Sequence, residues 1–521
     1  MNPTPRSNQF WLALLVVLWA FYGLVGRDAW KEDEALALGT VLSWLEGQGS
    51  LWSAQAPLFS FVAGVCAKLT AGFWNAQDGA RLASGLFTLT AFVFTGMAAR
   101  ALFGPGYGAA AVLALLGSLG LMLRAHALLP ETALLAVWSL LIYGVLIGNT
   151  QPRRGALFIG LALVALTLGL RGVPDLIFGL LAVLLPLASP RWSHSSYKHA
   201  VRHGMVLGAG LIVAGLAVLN ATGQLPDWLG EHGLGRVWPL RAPGSAYAEL
   251  PWFSWPLWPL AVWAVWHAHR RLLRTPELHP PLMLLVVLLL AALLPAWSRD
   301  GALLPILLPL ALLTAHALEH LRRGAAQAFY WFGVMFFLTL ALAFWVYFSA
   351  VEWGMPTRLA SHLARLIPTY TKGSVDTGAI FLAALATLAW LLAIPLFPRA
   401  KSRPVLVWAT GMALSWILVA ALFRPWAEAG WGYRPLILDM ARHLPAGACL
   451  KAEVDRPMKI MLRQHLKHPM GRDCAWTLRT LDRGIDKPGK TGAEAGVTVV
   501  WQGKRPRSKQ PFYRLEKHGG A

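Results

Sequence analysis

Long runs of apolar residues constrain this chain more than any other feature. A bilayer core is about 30 Å thick and an α-helix rises about 1.5 Å per residue, so a spanning helix needs roughly 20 mostly apolar residues. Thirteen such runs are predicted, at approximately 10–26, 81–103, 107–123, 128–148, 155–170, 173–189, 204–222, 252–268, 279–297, 302–319, 328–351, 377–396 and 404–423. With 56% hydrophobic and only 14% charged residues among 521, a water-soluble globular fold is excluded. The first run leads into Gly-Leu-Val-Gly-Arg without a small-x-small cleavage site, so it reads as an anchor. A formal charge of +21 would suggest nucleic acid in a soluble chain, but here its distribution matters more, and no nucleic-acid partner is expected.

Alternate connections are basic: Arg153 and Arg154; Arg191, Lys198 and Arg202; Arg270, Arg271 and Arg274; Arg322 and Arg323; Arg399, Lys401 and Arg403. The positive-inside rule puts these in the cytoplasm. The opposite, outer side then receives 27–80, the short connections at 171–172 and 298–301, and everything beyond 424. Ala56–Trp74 is long enough to cross, but crossing would move every later basic loop to the other side. It is therefore read as lying in the outer interface or re-entrant. Before it, Leu38, Val41, Leu42 and Leu45 fall at helical spacing within Ala35–Glu46, a second interfacial helix that stops at Gly47. Trp238, Trp252, Trp255 and Trp258 cluster at one outer boundary as an aromatic belt.

Residues 424–521 change character, with 19 Lys and Arg against nine Asp and Glu. Helical patterns at Pro435–His443 and Pro457–His465 alternate with strand-like Ala448–Val454, Val497–Gln502 and Phe512–Glu516, which predicts a small soluble α/β domain. The expected fold is thus an α-helical polytopic membrane protein, with a transmembrane domain over 1–423 and a C-terminal outer domain over 424–521. Cys449 and Cys474 are the only cysteines of that tail; in an oxidising compartment they either pair or stand as two buried thiols.

Acidic residues near the membrane are few. Asp33 and Glu34 open the interfacial helix just outside the first span, where a capping role competes with a catalytic one. Glu131 lies inside the outer end of a span, near Arg124 and His126; it is either a functional carboxylate or the partner of Arg124. Asp175 stands four residues after Arg171, as a structural ion pair would. Arg171 and Arg299 occupy very short outer connections, suited to a lipid phosphate or to ordinary headgroups.

Trp30-Lys31-Glu32-Asp33-Glu34-Ala35, Trp44-Leu45-Glu46-Gly47, Ala80-Arg81-Leu82-Ala83-Ser84, Glu131, Gly169-Leu170-Arg171-Gly172 and Ser298-Arg299 with Pro305 and Pro309 together resemble a known family. It is the C-type (GT-C) membrane glycosyltransferases that use polyprenyl-phosphate sugars, especially the lipid A aminoarabinose transferases and protein O-mannosyltransferases. The resemblance implies sugar transfer on the periplasmic face of a bacterial inner membrane, by a single inverting displacement, to lipid A, a protein or another glycan. It gives Asp33 the acceptor-side carboxylate role, Glu34 a supporting one and Glu131 a second carboxylate position. Arg124, Arg171 and Arg299 become substrate-binding candidates, because a leaving phosphate needs fixed positive charge or a divalent cation. Where the family carries a phosphate-binding Lys-Pro segment, this chain reads Ser53-Ala54-Gln55-Ala56-Pro57, and Leu36 replaces an Arg. The alternative is a non-catalytic lipid-linked-sugar carrier or flippase.

Overall fold

A computed structural model describes residues 5–234, 240–294, 298–398, 400–481, 497–507 and 512–518, without the side chains of 5–8, Arg299 and Asp300. Trp238 of the expected belt and Arg399 of a basic loop lie outside the described residues. The chain divides into two compact units: Met1–Val25 with Thr40–Leu340 and Ala386–Ile417, and Gly26–Gly39 with Ala341–Leu385 and Leu418–Ala521.

Among the described residues seven helices are long and apolar enough to cross a bilayer: Ala76–Phe103, Pro152–Gly169, Ser195–Ala221, Gly301–His320, Arg323–Glu352, Thr377–Leu396 and Arg403–Leu422. Leu257–Arg274 and Pro276–Ala291 pass only as a pair, bent by 118°, which would raise the number to eight. Five further apolar helices are shorter, among them Gln9–Phe21, Pro57–Leu69 and Glu131–Ile147. Among the described residues seven or eight helices thus reach full-span length, and the expected count of thirteen is not confirmed, because several apolar runs form shorter helices. The run at 107–123 breaks at Gly117-Ser118 into Tyr107–Leu116 and Leu119–Arg124. Hydropathy does not register a break that leaves apolarity unchanged.

Thr377–Leu396 shows what kind of surface this is. Its mean hydropathy is 2.3 and only 11% of its apolar window is buried, with Phe381, Leu392 and Leu396 open. In water such a stripe would be an aggregation site; in lipid it is a matched surface. Within the first unit, helices approach closely at glycine. A Cβ on Gly155 would stand 2.4 Å from the Cα of Gly148, so Glu131–Ile147 and Pro152–Val164 pack backbone to backbone.

The second unit carries the small α/β fold. Strands β1 (Leu450–Glu453), β2 (Trp476–Leu481), β3 (Val497–Gly503) and β4 (Phe512–His518) form one sheet in the order β1-β2-β4-β3. β1 and β2 are parallel, as the intervening helix Arg456–His465 requires; β4 is antiparallel to both neighbours, with an irregularity between Val499 and Trp501. The expected strands and both helices are present to within a few residues; β2 was not expected. Its Thr-Leu-Arg-Thr-Leu alternation is short and follows a run of charged and turn residues. Cys449 and Cys474 form a disulfide with Cα atoms 5.2 Å apart.

The bridge closes 25 residues of chain, including the helix that links β1 to β2. Restricting a loop of that length in the unfolded state is worth about 3–4 kcal/mol. Cys449→Ser should therefore raise the rate of proteolysis within 442–481 strongly while leaving the membrane helices resistant, as read by limited digestion and mass spectrometry.

Candidate active site

The expected interfacial helix begins at Glu32, not Ala35, and runs to Leu45, so Glu32, Asp33 and Glu34 all lie in its first turn. Carboxylates there are favoured by the exposed backbone N–H groups of the helix start. Gly26 precedes this segment with φ +79°, a left-handed turn that only glycine adopts without strain, and a Cβ there would press on Arg424 at 3.0 Å.

Asp33 and Glu34, paired in sequence, have opposite fates. Glu34 is buried at 1% exposure and its carboxylate is held by a bidentate fork: Arg27 Nη1 donates to Oε2 at 3.1 Å and Nη2 to Oε1 at 2.9 Å. The Trp30 N–H also donates to Oε2 at 3.3 Å, and the Arg27 guanidinium lies 4.7 Å from the Trp30 ring. Glu34 is therefore the counter-ion of Arg27 and fixes this turn. Asp33, one residue earlier and about 100° around the helix, is exposed and lines a cleft of ≈ 340 Å³ with Trp30, Lys31, Glu32, Trp431, Arg505 and Arg507.

Residues of the tail build that cleft. Trp431 ends the helix Arg424–Trp431, and Arg505 and Arg507 follow β3. Arg505 is fixed from two sides: its Nη1 donates to the Trp431 carbonyl at 2.8 Å and its guanidinium lies 3.8 Å from the Tyr433 ring. The Arg507 N–H donates to the Gly430 carbonyl at 3.1 Å, and its guanidinium stands 5.9 Å from the Trp431 ring. Sequence reasoning missed Arg27, Arg505 and Arg507. Arg27 is separated from its partner by seven residues in an irregular segment, and the two tail arginines lie more than 450 positions from Asp33.

Beneath the turn, Asp28 is buried. It accepts from His465 Nε2 at 3.0 Å and from the Arg434 N–H at 2.6 Å, while its own N–H donates to Glu428 Oε1 at 3.2 Å. Burial pushes its carboxyl up, but the His465 contact and the two backbone N–H groups outweigh it and hold the group below the ordinary value of 3.8. Glu428 is pushed the other way, first by burial and then by the Asp28 charge.

In the first unit, Glu131 and Arg124 come together, both buried at 3% exposure. Arg124 Nη2 donates to Glu131 Oε1 and to Ser298 Oγ at 2.9 Å each, and Ser298 donates to Oε1 at 2.5 Å. Ser298 was noted only as a neighbour of Arg299. Gly301 lies flat against this carboxylate, since a Cβ there would stand 2.3 Å from Glu131 Cγ. The ion-pair alternative for Glu131 is the one observed. Arg171 is half-buried, and its backbone N–H donates to Asp175 Oδ2 at 3.3 Å. Arg299 opens the helix Arg299–Leu303, and its side chain lies outside the described residues. Among the described residues no three His, Cys, Asp or Glu side chains are grouped as a metal site.

No family model matches the sequence, and no curated protein does. The fold does have relatives: the chain shares its architecture with C-type integral-membrane glycosyltransferases. The similar structures include ArnT from Cupriavidus metallidurans bound to undecaprenyl phosphate, at TM-score 0.66 and 16% identity over 98% of both chains. The apo state of the same protein matches at 0.65, again with 16% identity over 98% of both chains. An Archaeoglobus fulgidus oligosaccharyltransferase is far more distant, at TM-score 0.39 and 10% identity over 88% of this chain and 64% of that one.

Two consequences are measurable. Since the folded state prefers ionised Asp28, its contribution is full above pH 3.8 and is lost as pH falls through the lower value of the folded protein. Glu428 has the opposite sign, contributing below 4.5 and losing that contribution as pH rises through its raised value. Asp28→Asn should therefore flatten the acid limb of a Tm-against-pH curve below about pH 4. Glu131→Gln leaves a buried Arg124 without its counter-charge and should lower stability by about 3–5 kcal/mol, read by denaturation in detergent micelles.

Proposed function

We propose that this protein is a membrane glycosyltransferase that moves a sugar from a polyprenyl-phosphate donor to an acceptor at the outer face of a bacterial inner membrane. The observation that carries this reading is the division of labour at the helix start. Glu34 is buried against Arg27, whereas Asp33 is exposed and lines a cleft furnished with two arginines and two tryptophans. The whole-chain likeness to a structure that holds undecaprenyl phosphate supports the donor class.

In this reading the Asp33 carboxylate orients the acceptor nucleophile and takes its proton as the new bond forms at the anomeric carbon. The bond from that carbon to the phosphate oxygen breaks, and the polyprenyl phosphate leaves as an anion. Attack opposite the leaving group inverts the anomeric centre. Arginine suits the departing phosphate, because its planar fork meets two oxygens at once. Arg171 and Arg299 remain candidates for that task in the first unit, with Arg124 and Glu131 acting as a buried positioning pair. Sidedness is supported by the alternating basic loops and by the disulfide of the tail, a bond kept in oxidising compartments such as the periplasm.

Asp33→Asn should reduce transfer from an undecaprenyl-phosphate sugar by at least about a hundredfold, with expression and Tm unchanged. Mass spectrometry of envelope lipids and glycoproteins, with and without the protein, identifies the product. Donor binding or flipping with no product, equal in wild type and variant, would instead favour the carrier reading that the absent Lys-Pro segment admits.

A further inference from the structure

In the first unit, the helices Pro152–Val164 and Ser195–Ala221 touch backbone to backbone. A Cβ on Gly204 would stand 3.0 Å from the Ala156 carbonyl oxygen, and one on Gly208 would stand 3.4 Å from the Gly160 carbonyl oxygen. These contacts advance together along both segments, so the helices run parallel. Counting back one turn puts Arg153 and Arg154 level with the turns that carry Lys198 and Arg202. The second helix is anchored there, because Tyr197 is fully buried and its hydroxyl donates to the Val183 carbonyl at 2.7 Å. His199 and His203 stack beside these cations with ring centroids 3.8 Å apart, and the charges acting on His199 come from His203, Arg202 and Arg153, with no carboxylate among them.

Arg153, Arg154, Lys198 and Arg202 are all exposed, and among the described residues none of them has a carboxylate at ion-pairing distance. Other basic connections spend cations internally: Arg191 pairs with Glu277, and Lys401 with Glu319 at 2.8 Å. One turn deeper the exposed side chains become apolar. Leu157 and Leu161 follow the two arginines on the first helix at 46% and 41% exposure, and Val206 and Val213 follow Arg202 on the second at 68% and 65%. Each helix therefore presents a stripe with a cationic end and an apolar body. A free anion matches only the end, whereas a lipid matches both, with phosphate at the headgroup level and acyl chains below it. Two pairs of cations, one on each helix, suit two phosphates carried by one molecule.

We propose that the starts of these two helices form a binding site for an anionic phospholipid with two phosphodiesters, of the diphosphatidylglycerol type. Its phosphates lie between the two pairs of cations, and its acyl chains follow the apolar stripes. The positive-inside rule puts this site in the cytoplasmic leaflet. None of the residues proposed for sugar transfer takes part, so the two readings stand or fall separately.

The test uses the full-length protein, delipidated in detergent micelles and titrated with diphosphatidylglycerol, phosphatidylglycerol and inorganic phosphate, with bound species counted by native mass spectrometry. The two-phosphate lipid should bind at least about tenfold more tightly than the one-phosphate lipid, and inorganic phosphate more weakly than either. Its affinity should fall at least about tenfold in the double variant Arg153→Ala, Arg202→Ala and be largely kept in Arg153→Lys, Arg202→Lys, which preserves the charge. The triple variant Arg270→Ala, Arg271→Ala, Arg274→Ala removes exposed cations from a different connection and should change little. Equal affinity in wild type and the double alanine variant overturns the site. So does an equal loss in the triple variant, which would mean attraction to basic connections in general. Equal binding of the two lipids, or inorganic phosphate binding as tightly as diphosphatidylglycerol, overturns it as well.

Discussion

The bidentate contact between Arg27 and Glu34 is the constraint on which the candidate site rests. Two buried charges tolerate one another only in good geometry, and removing either partner leaves an uncompensated ion. Because the fork engages both carboxylate oxygens and the Trp30 N–H adds a third contact, the first turn of the helix cannot rotate. Its neighbour Asp33 is thereby fixed on the cleft side. The catalytic candidate is held indirectly, by spending the adjacent acid on structure.

A second layer secures the same turn from the tail. Asp28 collects His465, the Arg434 N–H and, through its own N–H, Glu428, all from residues more than 390 positions away. That network ties the segment after the first span to the helices Arg424–Trp431 and Arg456–His465. The latter helix crosses between the two parallel strands, and the disulfide closes the same loop. Sheet, bridge and buried carboxylate thus support one wall of one cleft.

Glu131 illustrates how a costly intramembrane charge is resolved in a different way. With Arg124 and Ser298 around one oxygen and Gly301 leaving room for it, the group is built in as a buried ion pair. An ionisable residue at membrane depth is a functional candidate by default. Here the geometry is that of a buried ion pair, and the exposed Asp33 carboxylate is the candidate that we propose for the chemistry.

Apolar runs, basic connections and the change of composition at 424 were legible in the sequence because they depend on local content. So were the acidic helix start and most of the small α/β domain, whose periodicities are short. What the sequence could not decide was the breaks at Gly117-Ser118 and in the bent pair, where hydropathy is unchanged while direction is not. It also could not say which of two adjacent acids is spent on an ion pair, or that Arg505 and Arg507 stand beside Asp33. The first depends on how an irregular segment folds back on its helix, and the second on residues hundreds of positions apart that only a folded chain gathers at one cleft.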